Sequence, residues 1–104
     1  MMDPISRRRG PIEIYFDILT SCLEPKLMTG ILRWANIQYG SFQNYFNPLL
    51  KAGYLEKEIY KKRFVYRTSP SGKELMHDMI IVARKLDMEG FEIPRIYNYI
   101  TKEV

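Results

Sequence analysis

Between Gly53 and Ser69 the apolar residues of this 104-residue chain follow an alternating pattern, whereas on either side they recur every three or four positions. An alternation of two marks strands and a recurrence near 3.6 marks helices. A chain that changes period once and then changes back is committed to helices interrupted by a short hairpin. The first predicted strand, from Tyr54 to about Tyr60, places Leu55 and Ile59 on one side. The second, Phe64 to Thr68, alternates Phe64, Tyr66 and Thr68 with Val65 and Arg67. Lys61-Lys62-Arg63 connects them. No Asn-Gly pair is present, so the turn type stays open at this level.

Punctuation residues divide the flanking segments. Gly10-Pro11 opens a helix, because proline suits the first helical position. Ile12, Phe16, Leu19 and Leu23, spaced four, three and four, predict its buried face, and Glu24-Pro25 stops it. Lys26 to Ala35 reads as a short second helix, with Leu27, Ile31, Leu32 and Trp34 as apolar candidates. A tight turn follows at Asn36-Ile37-Gln38. A third helix, residues 39–52, turns Phe42, Phe46, Leu49 and Leu50 inward and Gly40, Ser41, Gln43, Asn44 and Asn47 outward. Pro48 removes one of its hydrogen bonds and predicts a kink, and Gly53 is placed to cap it. Ser69 caps a fourth helix with Pro70 at its first position, running to about Glu89 and broken by Gly90. Leu75, Met79, Val82 and Leu86 form a heptad-like seam on it, widened by Met76 and Ile80. A last short helix, about Pro94 to Lys102, carries Ile96, Tyr97 and Ile100.

Composition excludes several classes. With 46% hydrophobic and 27% charged residues the chain buries a modest core, which excludes a disordered or collagen-like chain. Its apolar runs are too short to span a bilayer, and no apolar segment follows the N-terminal arginines as in a secretory signal. A cytoplasmic protein is expected. The lone Cys22 allows no internal disulfide. It reads as a small core residue or, alternatively, as a contact between subunits. Cys22 and His77 cannot assemble a zinc-like site, and His77 is expected on the exposed side of the fourth helix. The chain has no glycine-rich phosphate loop and no nucleophile elbow, so neither an enzyme nor a cofactor is expected.

The net charge of +4 is concentrated. Arg7, Arg8 and Arg9 against Asp3 give the first nine residues +2. Lys57, Lys61, Lys62, Arg63 and Arg67 against Glu58 give residues 57–67 +4. Two basic patches on a near-neutral body fit a polyanion surface, or else a solvated hairpin tip and a loose terminus.

Three helices followed by a basic hairpin is the winged-helix order. In it the third helix offers a polar face to a DNA groove and the hairpin reaches phosphates beside it. Ser41, Gln43, Asn44 and Asn47 are candidate base contacts, since Asn and Gln can form two hydrogen bonds to adenine. Lys61, Lys62, Arg63, Arg67 and Lys51 are candidate phosphate contacts, and Arg7 to Arg9 a candidate minor-groove arm. The alternative for each is a solvated polar surface. Eight tyrosines and five phenylalanines could stack bases, but most fall on inner stripes and read as core.

Ala35-Asn36-Ile37 at the turn, then Tyr39, Phe42, Tyr45, Phe46, Leu49 and Leu50, then Gly53-Tyr54-Leu55 leading into the hairpin form an ordered set. Tyr66, Ser69 and Gly72 close it, and Glu13, Ile14, Asp17, Ile18 and Leu19 fit the first helix. With this set the chain resembles the archaeal winged helix-turn-helix DNA-binding proteins, most densely over Thr29 to Gly72. Some of these have a helical tail that pairs into a dimeric coiled coil. Pro48, and Gly40 in place of a basic residue, depart from their pattern, as does a tail interrupted at Gly90 and Pro94.

The expected architecture is mainly α (α+β): a basic arm (1–9), a winged helix-turn-helix with a two-stranded wing (10–73) and a C-terminal helical dimerisation extension (74–104). The expected function is sequence-specific binding of double-stranded DNA by a homodimer, associated with the nucleoid and regulating transcription. Its dimer interface would be Leu75, Met79, Val82, Leu86, Ile96 and Ile100. The competing readings are a protein-interaction module on the same scaffold and an architectural binder without sequence preference.

Overall fold

Three helices, a hairpin and a fourth helix follow one another in the computed structural model, which describes residues 10–86: α1 (Pro11–Ser21), α2 (Met28–Ala35), α3 (Tyr39–Lys51), β1 (Leu55–Tyr60), β2 (Arg63–Thr68) and α4 (Pro70–Lys85). This is the winged-helix order. The arm with Arg7, Arg8 and Arg9, the break at Gly90 and the last helix with Ile96 and Ile100 lie outside the described residues.

α1 starts where the sequence places it. Pro11 is its first residue, and the Glu13 carboxylate accepts the Gly10 N–H at 2.5 Å. Its buried face is Phe16, Ile18 and Leu19. Ile12 is exposed, because the first turn lies beyond the edge of the core. α2 begins at Met28 rather than Lys26. The Lys26 backbone is extended and exchanges two hydrogen bonds with Tyr66, at 3.0 and 2.9 Å, so it cannot join a helix. Ile31 and Ala35 face inward, whereas Trp34 stands 50% exposed. Asn36 closes α2 in the left-handed conformation (φ 56°), which asparagine tolerates better than most residues.

α3 buries Phe42, Phe46 and Leu49. Phe42 stacks on Phe46 with ring centroids 4.8 Å apart, and Phe46 meets the Tyr66 edge at 4.9 Å. Thus the helix and the second strand share one aromatic contact. The helix continues through the exposed Pro48 to Lys51, and Gly53 (φ 86°) turns the chain into β1. β1 and β2 pair antiparallel, Leu55 opposite Thr68 and Tyr60 opposite Arg63. The turn is therefore Lys61-Lys62 alone, and both residues have positive φ (50° and 64°), as a type I′ turn requires.

The base of the hairpin is tied to the helices. The Thr68 N–H donates to the Cys22 carbonyl at 2.8 Å, and its hydroxyl to the Leu19 carbonyl at 2.7 Å. Ser69 caps α4 by accepting the Gly72 N–H at 3.0 Å and donates to the Gly53 carbonyl at 2.6 Å. Gly72 packs so closely that a Cβ there would sit 2.3 Å from the Tyr54 carbonyl oxygen.

On α4 the core-facing residues are Met76, Ile80 and Ala83. The seam is offset from them. Leu75 and Met79 are half-buried, and Val82 and Leu86 are 43% and 67% exposed. The helix ends at Lys85 with Leu86 as its cap, short of Glu89. His77 is half-buried rather than exposed, and its Nδ1 is enclosed with no hydrogen-bond partner. Cys22 is fully buried, and burial pushes its thiol up from an ordinary 9.0 to about 11. A thiol inside the core is out of reach of a second subunit, which removes the contact between subunits considered for Cys22.

Candidate nucleic-acid interface

The inner residues of α3 fix what its outer face presents. Phe42, Phe46 and Leu49 are held by the core, so Ser41, Asn44 and Asn47 point to solvent and Gln43 lies half-buried at the flank. Over its first three turns, ahead of Lys51 in the last turn, this face carries hydroxyl and amide groups and no charge. It can exchange hydrogen bonds with base edges without the desolvation cost of an ion. Proline at 48 leaves the Asn44 carbonyl without its helical donor at a solvent-facing position.

The wing supplies the cations. Lys61 and Lys62 occupy the turn and Arg63 starts β2, all three exposed. Lys61 Nζ lies 5.3 Å from the Tyr60 ring. A groove of about 320 Å³ runs beside the turn, lined by Leu27, Tyr60, Lys61, Arg63 and Val65. Lys51 is exposed in the last turn of α3. Arg67 is engaged: its Nη2 meets both Glu58 carboxylate oxygens, at 2.7 and 2.8 Å. The hydrogen bond to Glu58, then its charge, hold the guanidinium above its ordinary pKa. The pair is open to water and therefore to salt.

Three exposed side chains of the wing are not among the contact candidates named from the sequence. Lys57 Nζ sits 4.1 Å over the Phe64 ring. Ile59 is 72% and Phe64 52% exposed, although both lie on the strand face that buries Leu55, Tyr66 and Thr68. The available signal was distance from the hairpin base: alternation assigns a face, but only the inner end of that face meets the core. Among the described residues no cluster of three or more His, Cys, Asp or Glu could hold a metal, and no helix is long and apolar enough to cross a membrane.

A family model described as winged helix-turn-helix matches residues 8–86. The chain belongs to the winged helix-turn-helix family. The match runs through α3, the wing and α4. Among solved structures the chain is similar to that of Sso10a-2, described as a DNA-binding protein from Sulfolobus solfataricus. The two are 28% identical with a TM-score of 0.68, over 90% of this chain and 92% of that one. No curated protein matches the chain. In winged helix-turn-helix terms α2 is the bracing helix, α3 the recognition helix and the hairpin the wing.

Proposed function

We propose that this protein binds double-stranded DNA in a sequence-dependent manner as a homodimer and regulates transcription. The recognition helix α3 enters the major groove with Ser41, Gln43, Asn44 and Asn47 toward the bases. Lys61, Lys62, Arg63 and Lys51 hold phosphates, and Arg67 joins them by exchanging Glu58 for a phosphate oxygen. The arm Arg7 to Arg9 extends the contact into a minor groove, and the bound duplex places the protein with the nucleoid in the cytoplasm. One observation carries this reading: a family-matched recognition helix that exposes Ser41, Asn44 and Asn47, followed one strand later by an exposed lysine turn. The description of Sso10a-2 as a DNA-binding protein supports it. The dimer reading rests on the offset seam of Leu75, Met79, Val82 and Leu86, continued by Ile96 and Ile100.

Fluorescence anisotropy against mixed-sequence duplexes tests the proposal. Affinity should fall by about 10-fold or more between about 50 and 200 mM salt, since each phosphate contact releases counterions. Replacing Lys61, Lys62 and Arg63 by alanine should weaken all duplexes alike. Sequence selection from a random duplex pool should return a preferred site, and Asn44→Ala should change it. Affinity that ignores salt would remove the phosphate contacts, and a pool that returns no preference would leave an architectural binder.

A further inference from the structure

The outer half of the wing carries an apolar pair that the protein's own packing leaves uncovered. Ile59 and Phe64 are direct cross-strand partners, so their side chains stand together on one face of the ribbon. Two positions inward on the same face, Tyr66 is buried against Phe46 of α3, and Leu55 and Thr68 are buried further in. One continuous face thus begins in the core and ends in solvent, with two large apolar side chains at 72% and 52% exposure. Neither side chain is buried in the core of the described fold. On the same face Lys57 sets its Nζ over the Phe64 ring, Lys61 and Lys62 form the adjoining turn, and Arg63 follows on the opposite face beside Tyr60. The acids of the hairpin, Glu56 and Glu58, alternate onto the opposite face, where Glu58 holds Arg67.

An apolar tip ringed by lysine and arginine repels a second copy of itself and suits a polyanion with an apolar interior. Duplex DNA has that make-up: a phosphate exterior over stacked bases. We infer that Ile59 and Phe64 form a wedge that enters a base step from the minor-groove side, next to the major groove taken by α3, and bends the duplex there. The cations at 57 and 61–63 anchor the flanking phosphates. Inserted apolar side chains of this kind unstack a step and bend the duplex away from the wedge, toward the major groove. Pyrimidine–purine steps open most easily, so the wedge adds a preference that needs no hydrogen bond to a base. This inference rests on the proposal that the protein binds duplex DNA.

The experiment uses the full chain and a duplex of about 30 base pairs with donor and acceptor dyes at its ends and 2-aminopurine at a central TA step. Anisotropy reports binding, energy transfer reports bending and 2-aminopurine fluorescence reports unstacking. The wild type should raise both energy transfer and 2-aminopurine emission on binding. The double variant Ile59→Ala/Phe64→Ala should bind within about fivefold of wild type, with both signals largely lost. Lys61→Ala/Lys62→Ala should weaken binding about 10-fold or more and still bend the duplex at saturation. Circular dichroism confirms folding, and Ile59→Ser alone supplies a milder second variant. Binding without bending or unstacking overturns the wedge while leaving DNA binding intact, and so does a double variant that bends the duplex as the wild type does. A double variant that loses self-association but not bending reassigns the pair to a protein contact. Failure of the wild type to bind any duplex overturns both readings.

Discussion

α3 and α4 are both amphipathic helices that bury one face in the same core, yet their outer faces ask for different partners. Outside Phe42, Phe46 and Leu49, α3 presents Ser41, Asn44 and Asn47. Outside Met76, Ile80 and Ala83, α4 presents the edge formed by Leu75, Met79, Val82 and Leu86. Hydrogen-bonding groups at home in water can be satisfied by a polar groove without penalty. Large aliphatic groups in water gain only when another apolar surface covers them. The comparison teaches that an outer face reports the partner and an inner face reports the fold, so the two should respond to substitution in separable ways.

The largest expected effects are on the inner faces. Phe46→Ala removes a ring shared by α3 and β2 and should cost about 3–5 kcal/mol of stability in a denaturant titration. Met76→Ala should cost about 2–5 kcal/mol by the same measurement. Asn44→Ala and Val82→Ser should each leave the unfolding of a dilute sample within about 0.5 kcal/mol of wild type. Their effects should appear instead in DNA preference and in sedimentation equilibrium, respectively. A loss of stability at Asn44 as large as at Phe46 would erase the distinction.

Next comes the core beneath both helices. The unfolded Cys22 thiol ionises near its ordinary 9.0, while burial makes the folded one hold its proton to about 11. Stability is therefore intact below pH 9 and falls as the pH rises from 9 to 11, by about 2–3 kcal/mol. Cys22→Ala should flatten that alkaline limb in urea midpoints measured from pH 8 to 11. A native protein at pH 8 should react slowly with a thiol reagent and a denatured one quickly.

Among the buried contacts, the smallest expected loss lies at the junction of the two helices with the wing. Ser69 caps α4 and also ties it to Gly53 at the end of α3. Ser69→Ala should cost about 1–2 kcal/mol, visible as a lowered midpoint with an unchanged slope.

Much of this was legible in the sequence, for identifiable reasons. Pro11, Asn36, Gly53 and Ser69-Pro70 act through their own backbone or the next turn, so local chemistry placed the starts of α1 and α4 and the turns that close α2 and α3, but not the last residues of α1 and α4. The inward stripe Phe42, Phe46 and Leu49 followed from spacing alone. Lys26 was misassigned to α2 because its partner, Tyr66, lies 40 residues away. Ile12, Trp34, Ile59 and Phe64 sit at ends or tips, where periodicity gives the side of an element but not whether anything stands opposite. His77 is a similar case: its neighbours on α4 are both polar and apolar, and only the packed fold shows that one ring nitrogen is enclosed. Of the candidate site, the polar face of α3 and the lysine turn were readable. The Arg67–Glu58 pair and the apolar outer half of the wing needed the strand register.

The left-handed bend at Lys61 and Lys62 has an engineering consequence. Each lysine there occupies a conformation that costs a side-chain-bearing residue roughly 1–2 kcal/mol. Asparagine followed by glycine would relax the bend and raise the melting temperature. It would also strip two ammonium groups from the outermost point of the ribbon. Selection for heat resistance alone would therefore drive this chain toward a sturdier molecule with a blunted grip.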